Sequence, residues 1–545
     1  MSKNGSVAPL AEKQEPGMPQ RPRGRRFGAF FAALAASLLA GLVASLVSVL
    51  CMGVLRLLAG IPTPVELFGD FVLKRLPAPR FVGVLIMFRP NPKLETLGLA
   101  LLAMLGLGIV LSLLYALIVR VRMPLSSYRP GRREWLCMLA FGLVMSLAGS
   151  GLFHVESAQN YLGLPLAWAT ALTILGLLLD FLLYALVLGH AYRLLLPRQK
   201  VERAGVSVGS RRALLARVGV AAVGLGAAGG ALGALRGYVD RYSSYDGQET
   251  WARNGAVAPI TPNDQHYVVT QNPIDPNPNR AVWRLEIAGL VGKTGTYTYE
   301  QFTSLPSISR AVTLECIANG IGGHLISTAV WQAVPFRALL ERHGDAHSSA
   351  THVVFSSVDG YVVCQPLAVV LEADALLAFR MNGEELPIRH GYPLRALIPG
   401  RFGEENPKWL TRIELTDHFV DGLYSAQGWY NGPLHTITRI DRPYGSLPLV
   451  STIEIGGLAF AGNRGIQRVE ISTDNGQTWA QAQLAPPLSQ DSWVFWTYQW
   501  HPTARGHYTL VARATDGTGQ IQTSAPQSTV PNGATGYHFV PMDLV

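Results

Sequence analysis

Thr313-Leu-Glu-Cys-Ile-Ala-Asn-Gly-Ile-Gly-Gly323 decides how this chain reads. A short apolar run suited to a strand delivers Cys316 to the start of a loop of small residues. A large ligand can approach such a backbone without meeting side chains. A thiolate there can ligate a soft metal; a buried structural thiol is the commoner role of a lone cysteine. The chain has four cysteines. Cys51 and Cys137 fall in long apolar runs, which leaves Cys316 and Cys364 and implies no disulfide framework. A bridge between those two would deny a metal its sulfur.

Outward from Cys316 the pattern changes twice. From Trp283 the sequence alternates as a half-buried strand does, and short strands and helices mix until about residue 445, an α+β pattern. From Ser451 the strands are short and turn-bounded, at 451–455, 466–472, 493–500 and 507–514, which predicts an all-β sandwich. Asp474-Asn-Gly476 reads as a tight hairpin turn. The string Ser472 to Trp479 also matches the Asp-box of β-propeller glycosidases, but it occurs once and a propeller needs repeats.

Four stretches in order carry a resemblance. Thr313-Leu-Glu-Cys-Ile-Ala-Asn-Gly320 resembles the cysteine loop of the sulfite oxidase family of molybdenum enzymes. Ala329-Val-Trp-Gln-Ala-Val-Pro-Phe-Arg-Ala-Leu-Leu340 resembles the helix after it. His390-Gly-Tyr-Pro-Leu-Arg-Ala-Leu-Ile-Pro-Gly400, followed by Asn406-Pro-Lys-Trp-Leu410, resembles the pterin-phosphate segment. Val469-Glu-Ile-Ser-Thr-Asp-Asn-Gly-Gln-Thr-Trp479 resembles the C-terminal immunoglobulin-like domain. Together they cover residues 265–545.

The resemblance implies a molybdopterin cofactor with Cys316 as the single protein ligand to molybdenum. It implies that Asn272 holds the pterin ring system, that His390, Arg395 and Lys408 grip the pterin and its phosphate, and that Ser357 adds a hydroxyl contact. Arg and Lys are the expected partners of a phosphate. Two departures bear on substrate. Sulfite-oxidising members carry an arginine five residues after the cysteine, where this chain has Ile321, and another before the pterin-binding asparagine, where it has Gln271. A pocket missing both loses attraction for a doubly charged anion. The expectation shifts from sulfite to a sulfoxide or another organic S- or N-oxide. His324, otherwise a surface-loop histidine, and the aromatic pair Trp429 and Tyr430 are then the candidate catalytic residues of the pocket beside Cys316.

Upstream the chain is of another kind. Hydrophobic residues make up 49% and charged ones 15%, and the excess is local. Residues 27–55, 96–119 and 135–155 carry no charged side chain, and 157–192 only Asp180. Each run is long enough to cross a hydrocarbon core of about 30 Å as a helix. The net charge of +9 does not indicate nucleic acid, because much of it flanks these runs: Arg21 to Arg26, Arg120 to Arg133 and Arg193 to Arg212. The alternation places the N-terminus in the cytoplasm. The loop 60–95 dissents with Lys74, Arg75, Arg80, Arg89 and Lys93, and its Phe81 to Phe88 run suits the membrane interface. His154 and His190 lie more than half a membrane apart on this topology, which argues against a bis-histidine haem. Asp180 is either a functional carboxylate, a helix–helix hydrogen bond or a neutral acid buried in the bundle. Arg211 and Arg212, followed by the uncharged run Val218 to Leu235, resemble a twin-arginine export signal and also suit a fifth membrane helix.

The sequence therefore predicts a multi-domain chain. An all-α transmembrane bundle is followed by an α+β sulfite-oxidase-like molybdopterin domain and an all-β immunoglobulin-like sandwich. The boundaries are a disordered tail at 1–26, four membrane helices at 27–196, the twin-arginine-like segment and fifth helix at 197–240, a linker at 241–280, the molybdopterin domain at 281–445 and the sandwich at 446–545. The expected activity is oxygen-atom transfer at an extracytoplasmic molybdenum site anchored to the cytoplasmic membrane, on a small or protein-bound substrate. The expected partners are membrane lipid, a cytochrome or quinone for electrons and a second copy of the chain, with no haem in the chain itself. Sulfite oxidation proper and a non-catalytic binding or assembly module are the alternatives.

Overall fold

The structure is a computed structural model that describes residues 23–80, 92–121, 129–196, 257–272 and 275–545, with isolated residues at 83, 125, 127 and between 218 and 233. The tail 1–20, the arginine pair Arg211 and Arg212, and most of the 81–88 and 218–236 runs lie outside the described residues.

The apolar runs form helices. These are α1 (Arg23–Ala59), α3 (Pro92–Val119), α4 (Arg132–Leu152) and α5 (Leu166–Leu195), with a short α2 (Pro64–Leu73) between the first two. Four of them are long and apolar enough to cross a membrane. Their outer faces expose Leu57, Leu102, Leu117 and Leu147, the surface that lipid would cover. Small residues let the helices approach: Gly41 stands against Ser112 and Gly108 against Ser45, with no room for a Cβ. Ser48 Oγ donates to Asp180 Oδ2 at 2.8 Å, so the intramembrane carboxylate ties α1 to α5.

The two ends of the bundle differ. At one, Arg193 pairs with Glu134 and donates to Ser127 O. At the other, α2 and the loop 153–165 meet the C-terminal half of the chain. Thr63 caps α2 reciprocally with Glu66, and Pro64 presets its first turn. Asn160 N donates to Val358 O (3.0 Å), Asn279 N to Leu162 O (3.0 Å) and Gln427 Nε2 to Leu73 O (2.9 Å). Arg75, one of the dissenting basic residues, lies 3.8 Å from the buried Glu156.

The α+β domain is built on two sheets. One runs in the order β2 (Gly295–Tyr297), β1 (Leu285–Gly289), β10 (Leu410–Thr416), β5 (His352–Ser357), β6 (Val362–Pro366), with β1 and β10 parallel. The other runs β3 (Ile308–Glu315), β4 (Ile326–Pro335), β7 (Leu376–Met381), β8 (Glu384–Glu385), with β9 (Arg395–Leu397) also pairing β7. Trp283, Phe302, Phe336, Phe355 and Leu377 fill one core, and Trp331, Leu376 and Leu397 a second.

Two expectations need correction. The stretch 329–340 is not one helix. Ile326–Pro335 is a strand paired with β3, and only Phe336–Arg342 is helical. Val330, Trp331, Gln332 and Ala333 alternate half-buried and buried, which a strand satisfies, and Pro335 ends the ladder because it has no N–H to give. The stretch read as linker is packed against β4 from residue 257 on: Thr261 N donates to Thr328 O at 2.8 Å and Tyr267 N to Ser327 Oγ at 3.2 Å.

The C-terminal part is a β-sandwich. One sheet holds β11 (Ile437–Arg442), β13 (Ile453–Phe460), β17 (Val494–Trp500) and β16 (Gln483–Leu484). The other holds β12 (Gly445–Leu447), β19 (His538–Leu544), β18 (Gly506–Asp516), β14 (Ile466–Ser472) and β15 (Ala480–Gln481). Ile455, Val469, Trp496 and Leu510 form its core. Asn475 and Gly476 are both left-handed (φ 62° and 84°), and Asp474 Oδ1 accepts from Gln477 N and Thr478 N. That closes the β14–β15 hairpin. The sandwich grips β3 directly: Thr313 N donates to Asp491 O at 3.0 Å and Trp493 N to Thr313 Oγ1 at 2.8 Å.

Candidate active site

Cys316 is the first residue beyond β3, and the loop after it returns to β4. Asn319 shapes that loop. Its Nδ2 donates to Glu315 Oε1 (2.9 Å) and its Oδ1 accepts from Leu325 N (2.9 Å), while Cys316 N donates to Leu325 O (2.9 Å). Cys316 is not disulfide-bonded, and neither is Cys364. Burial, with Glu404 and Glu315 nearby, pushes the Cys316 thiol up to about 12. A thiol so placed ionises only against a strong local positive charge such as a metal. Among the described residues no three His, Cys, Asp or Glu side chains gather as a metal site. A metal at Cys316 would have to arrive with most of its own ligands.

The predicted pterin residues converge on the same domain. Arg395 is buried in β9, its Nη1 donating to His390 O (3.0 Å) and its Nη2 to Asn406 O (3.2 Å). Burial lowers its guanidinium to about 10. His390 Nε2 lies 2.8 Å from Asn263 O. Burial, reinforced by Arg395, Lys408 and Arg389, lowers His390 to about 3 and keeps it neutral. Lys408 Nζ donates to Val269 O (3.2 Å) and Arg389 O (3.1 Å). Gly391 makes this crossing possible. It is left-handed (φ 116°), and a Cβ on it would come within 3.1 Å of Arg395 and Lys408. Asn272 Nδ2 donates to Asp359 Oδ2 at 2.6 Å, and Ser357 sits two residues before that aspartate at the end of β5.

Tyr267 connects the two ends of the site. Its phenol is electrostatically coupled to both Cys316 and Arg395, and His266 stacks on its ring while standing edge-on to His390 (5.1 Å). Arg395 Nε, Ser357 Oγ and His266 Nε2 are buried without a hydrogen-bond partner among the described residues. Native interiors rarely leave such atoms orphaned. Two orphaned donor groups and a neutral imidazole beside a buried arginine and a lysine fit an elongated ligand that ends in a phosphate. The residues present therefore fit a pterin phosphate.

The segment after Arg395 carries two carboxyls toward the cysteine. Gly403 lies against Tyr267 Oη and Glu315 O. Burial pushes Glu404 well above the usual carboxylate range, its neighbour Glu405 adding to the effect, and burial raises Glu405 to about 8. Both line a cleft with Tyr361, Cys364, Gln365 and Trp429. Trp429 packs on Tyr424 at 4.3 Å, and Tyr430 also borders this cleft. His324 is placed elsewhere. Its electrostatic neighbours are Arg439 and Asp441, and His538 feels it in turn, so it belongs to the seam with the sandwich.

A family model for the oxidoreductase molybdopterin binding domain matches residues 271–424, and one for the Mo-co oxidoreductase dimerisation domain matches 443–538. Residues 271–538 thus carry the molybdopterin-binding and dimerisation domains of a molybdopterin oxidoreductase similar to the sulfite oxidase family. Similar proteins within reach of this family assignment are the NADH nitrate reductase of Solanum lycopersicum (28% identical over 44% of this chain and 33% of that protein) and the inducible NADH nitrate reductase 2 of Glycine max (29% over 44% and 34%). The chain thus spans about a third of the length of these relatives. The sulfane dehydrogenase SoxCD of Paracoccus pantotrophus superposes with a TM-score of 0.46 at 22% identity, over 53% of this chain and 84% of that one. The cofactor that fits these domains is molybdopterin, and the domain at 271–424 is a molybdenum-cofactor oxidoreductase domain.

Sequence reasoning missed Tyr267, His266, Asp359, Glu404 and Glu405. Gln265-His-Tyr267 breaks an otherwise Pro- and Asn-rich stretch with two rings, which was a readable signal. Glu404-Glu405 sets two acids between the cations Arg401 and Lys408, which was another.

Proposed function

We propose that this chain is a membrane-anchored molybdopterin oxidoreductase that transfers an oxygen atom to or from a neutral organic S- or N-oxide rather than sulfite. One observation carries the reading. One cleft, whose Glu404 acts electrostatically on Cys316, is lined by Tyr361, Gln365, Glu404, Glu405, Trp429 and Asn431, with no lysine or arginine among its lining residues, whereas a second cleft along the Cys316 loop itself is lined by Asn319, Gly322, Gly323 and Arg439. Two acids held largely neutral by burial offer hydrogen-bond donors without offering positive charge. A sulfoxide or N-oxide oxygen accepts such bonds; a dianion in this cleft would meet Arg401 only as the ion-pair partner of Glu405.

Molybdenum bound at Cys316 supplies a two-electron centre for oxygen-atom transfer. The chain's own groups do the rest. Cys316 holds the metal at the loop, while Asn272, Ser357, His390, Arg395 and Lys408 hold the pterin and its phosphate. Glu404 donates a hydrogen bond to the substrate oxygen, and the Trp429–Tyr424 pair packs the apolar part of the substrate. In the reductive direction an S-oxide takes two electrons and two protons and leaves as a thioether and water. The electrons come from a cytochrome or from a quinone in the membrane.

The site faces the extracytoplasmic side. Arg129, Arg132, Arg133 and Arg193 gather at the end of the bundle remote from the cofactor domain, the end the positive-inside rule assigns to the cytoplasm. The twin-arginine-like segment before the linker suits export of a domain loaded with its cofactor. The sandwich is immunoglobulin-like and pairs two copies of the chain. Similarity to proteins named nitrate reductases favours one second reading, an oxyanion substrate.

The test is turnover by detergent-purified full chain, with reduced dye as donor for sulfoxides, N-oxides and nitrate, and with a dye acceptor for sulfite. S- or N-oxide turnover well above nitrate and sulfite supports the reading. Preference for either anion overturns it.

A further inference from the structure

The membrane block touches a turn that carries two residues of the cofactor pocket. The turn 357–361 follows β5 and carries Ser357 and Asp359, the partner of Asn272. On its other side lies the loop between α4 and α5. Asn160 N donates to Val358 O at 3.0 Å. Gln159 lies across Gly360, which is left-handed (φ 73°), and a Cβ there would come within 2.4 Å of Gln159 Nε2. The same Nε2 donates to Asp70 Oδ2 of α2 at 2.6 Å. Gln159 and Asp359 are 3% and 2% exposed, so water does not substitute for these contacts.

The order of contacts is therefore Asp70, Gln159, Gly360, Asp359, Asn272. A half-buried carboxyl, Asp70, stands at one end, and a buried one, Asp359, stands next to the other. Burial, followed by the opposing bond from Gln159, holds Asp70 at about 7, and the like charge of Asp359 adds to the rise. Other groups facing Asp70 are Lys74 and Glu66 on and beside its own helix. Asp359 faces Lys408, the predicted phosphate ligand.

We propose that Asp70 and Gln159 of the membrane block are positioning residues of the pterin pocket: they fix the turn 357–361 and, through Asp359, the side chain of Asn272. The membrane block is then part of the cofactor-holding machinery as well as an anchor. The inference rests on the cofactor and on no particular substrate. Groups one shell removed from a ligand commonly shift its affinity about tenfold or more when lost.

The experiment uses the full-length holoenzyme in detergent and measures the rate at which pterin is released on mild warming, by its fluorescence. Gln159→Met and Asp70→Leu are expected to speed release about tenfold. Asp70→Asn, which keeps an oxygen for Gln159, is expected to stay near wild type. The double variant Gln159→Met with Asn272→Ala is expected to release no faster than Asn272→Ala alone. A looser fold in general would accelerate all of them and make the two losses additive. Should Gln159→Met not assemble, Asp70→Leu carries the same comparison from the other side of the contact. Release at the wild-type rate from the variant that assembles, or additivity with Asn272→Ala, overturns the proposal. Wild-type protein without pterin would instead remove the cofactor assignment itself.

Discussion

The two ends of the cofactor site are built from opposite chemistry. At the phosphate end stand Arg395, Lys408 and Arg389, with a histidine that burial keeps neutral. At the metal end stand Glu315, Glu404 and Glu405, all raised by burial. The first end can hold a permanent anion. At the second, burial raises the acids, and the arginines nearby are engaged with the protein: Arg401 pairs with Glu405 at 3.9 Å and Arg439 donates to Gly323 O. Holding the cofactor and choosing the substrate are thus separable tasks, carried by segments only a few residues apart.

Cys316→Ser tests the separation hardest. Turnover is expected to fall about a thousandfold or more, because the ligand proposed for the metal changes from soft to hard. The pterin content, read by fluorescence of the denatured protein, should persist because the phosphate end is untouched. Wild-type turnover would sink the ligand assignment. Lys408→Ala and Arg395→Ala should do the reverse. Each removes a charged hydrogen bond worth about 1.5–3 kcal/mol, so pterin content after dialysis should drop about tenfold or more. Unchanged pterin would show that the cations serve the fold alone.

A smaller effect separates the ends by pH. Glu405 has a folded value of about 8 against an ordinary 4.5, so the folded chain holds a proton that the unfolded chain has released. Its stabilisation is complete below 4.5 and is lost as pH rises toward 8. Between pH 6.5 and 8 the melting temperature of wild type should fall, and Glu405→Gln should flatten that fall by up to about 1.4 kcal/mol per pH unit. His390, lowered to about 3, is silent in that window. A slope identical in the two proteins would contradict the burial of Glu405. The smallest effect is expected for His324→Ala. Its place among Arg439, Asp441 and His538 predicts turnover within about threefold of wild type, whereas Trp429→Ala should cost more, since it removes a packed wall of the cleft.

The phosphate end was legible because its residues are close in sequence. His390, Arg395 and Lys408 span nineteen positions, and Gly391 marks the backbone crossing that brings them together. The Cys316 loop was legible for the same reason. Asp359 and Tyr267 were not, because each acts through a partner far along the chain: Asn272 for one, Cys316 and Arg395 for the other. The helix expected at 329–340 failed because resemblance was allowed to outweigh periodicity. Trp331 and Ala333 alternate with half-buried neighbours, a pattern of two rather than 3.6. Four of the nine sandwich strands were readable, with 466–472 matching β14, but the grip on β3 through Asp491 and Trp493 left no local trace. The docking of α2 and the loop 153–165 on the cofactor domain had none either.

That grip has a practical side. Thr313, three residues before the cysteine, takes a hydrogen bond from Trp493 N and gives one to Asp491 O. A recombinant fragment trimmed after the molybdopterin domain would strip both from the strand that carries Cys316. Anyone seeking a minimal soluble enzyme should therefore keep the whole C-terminus.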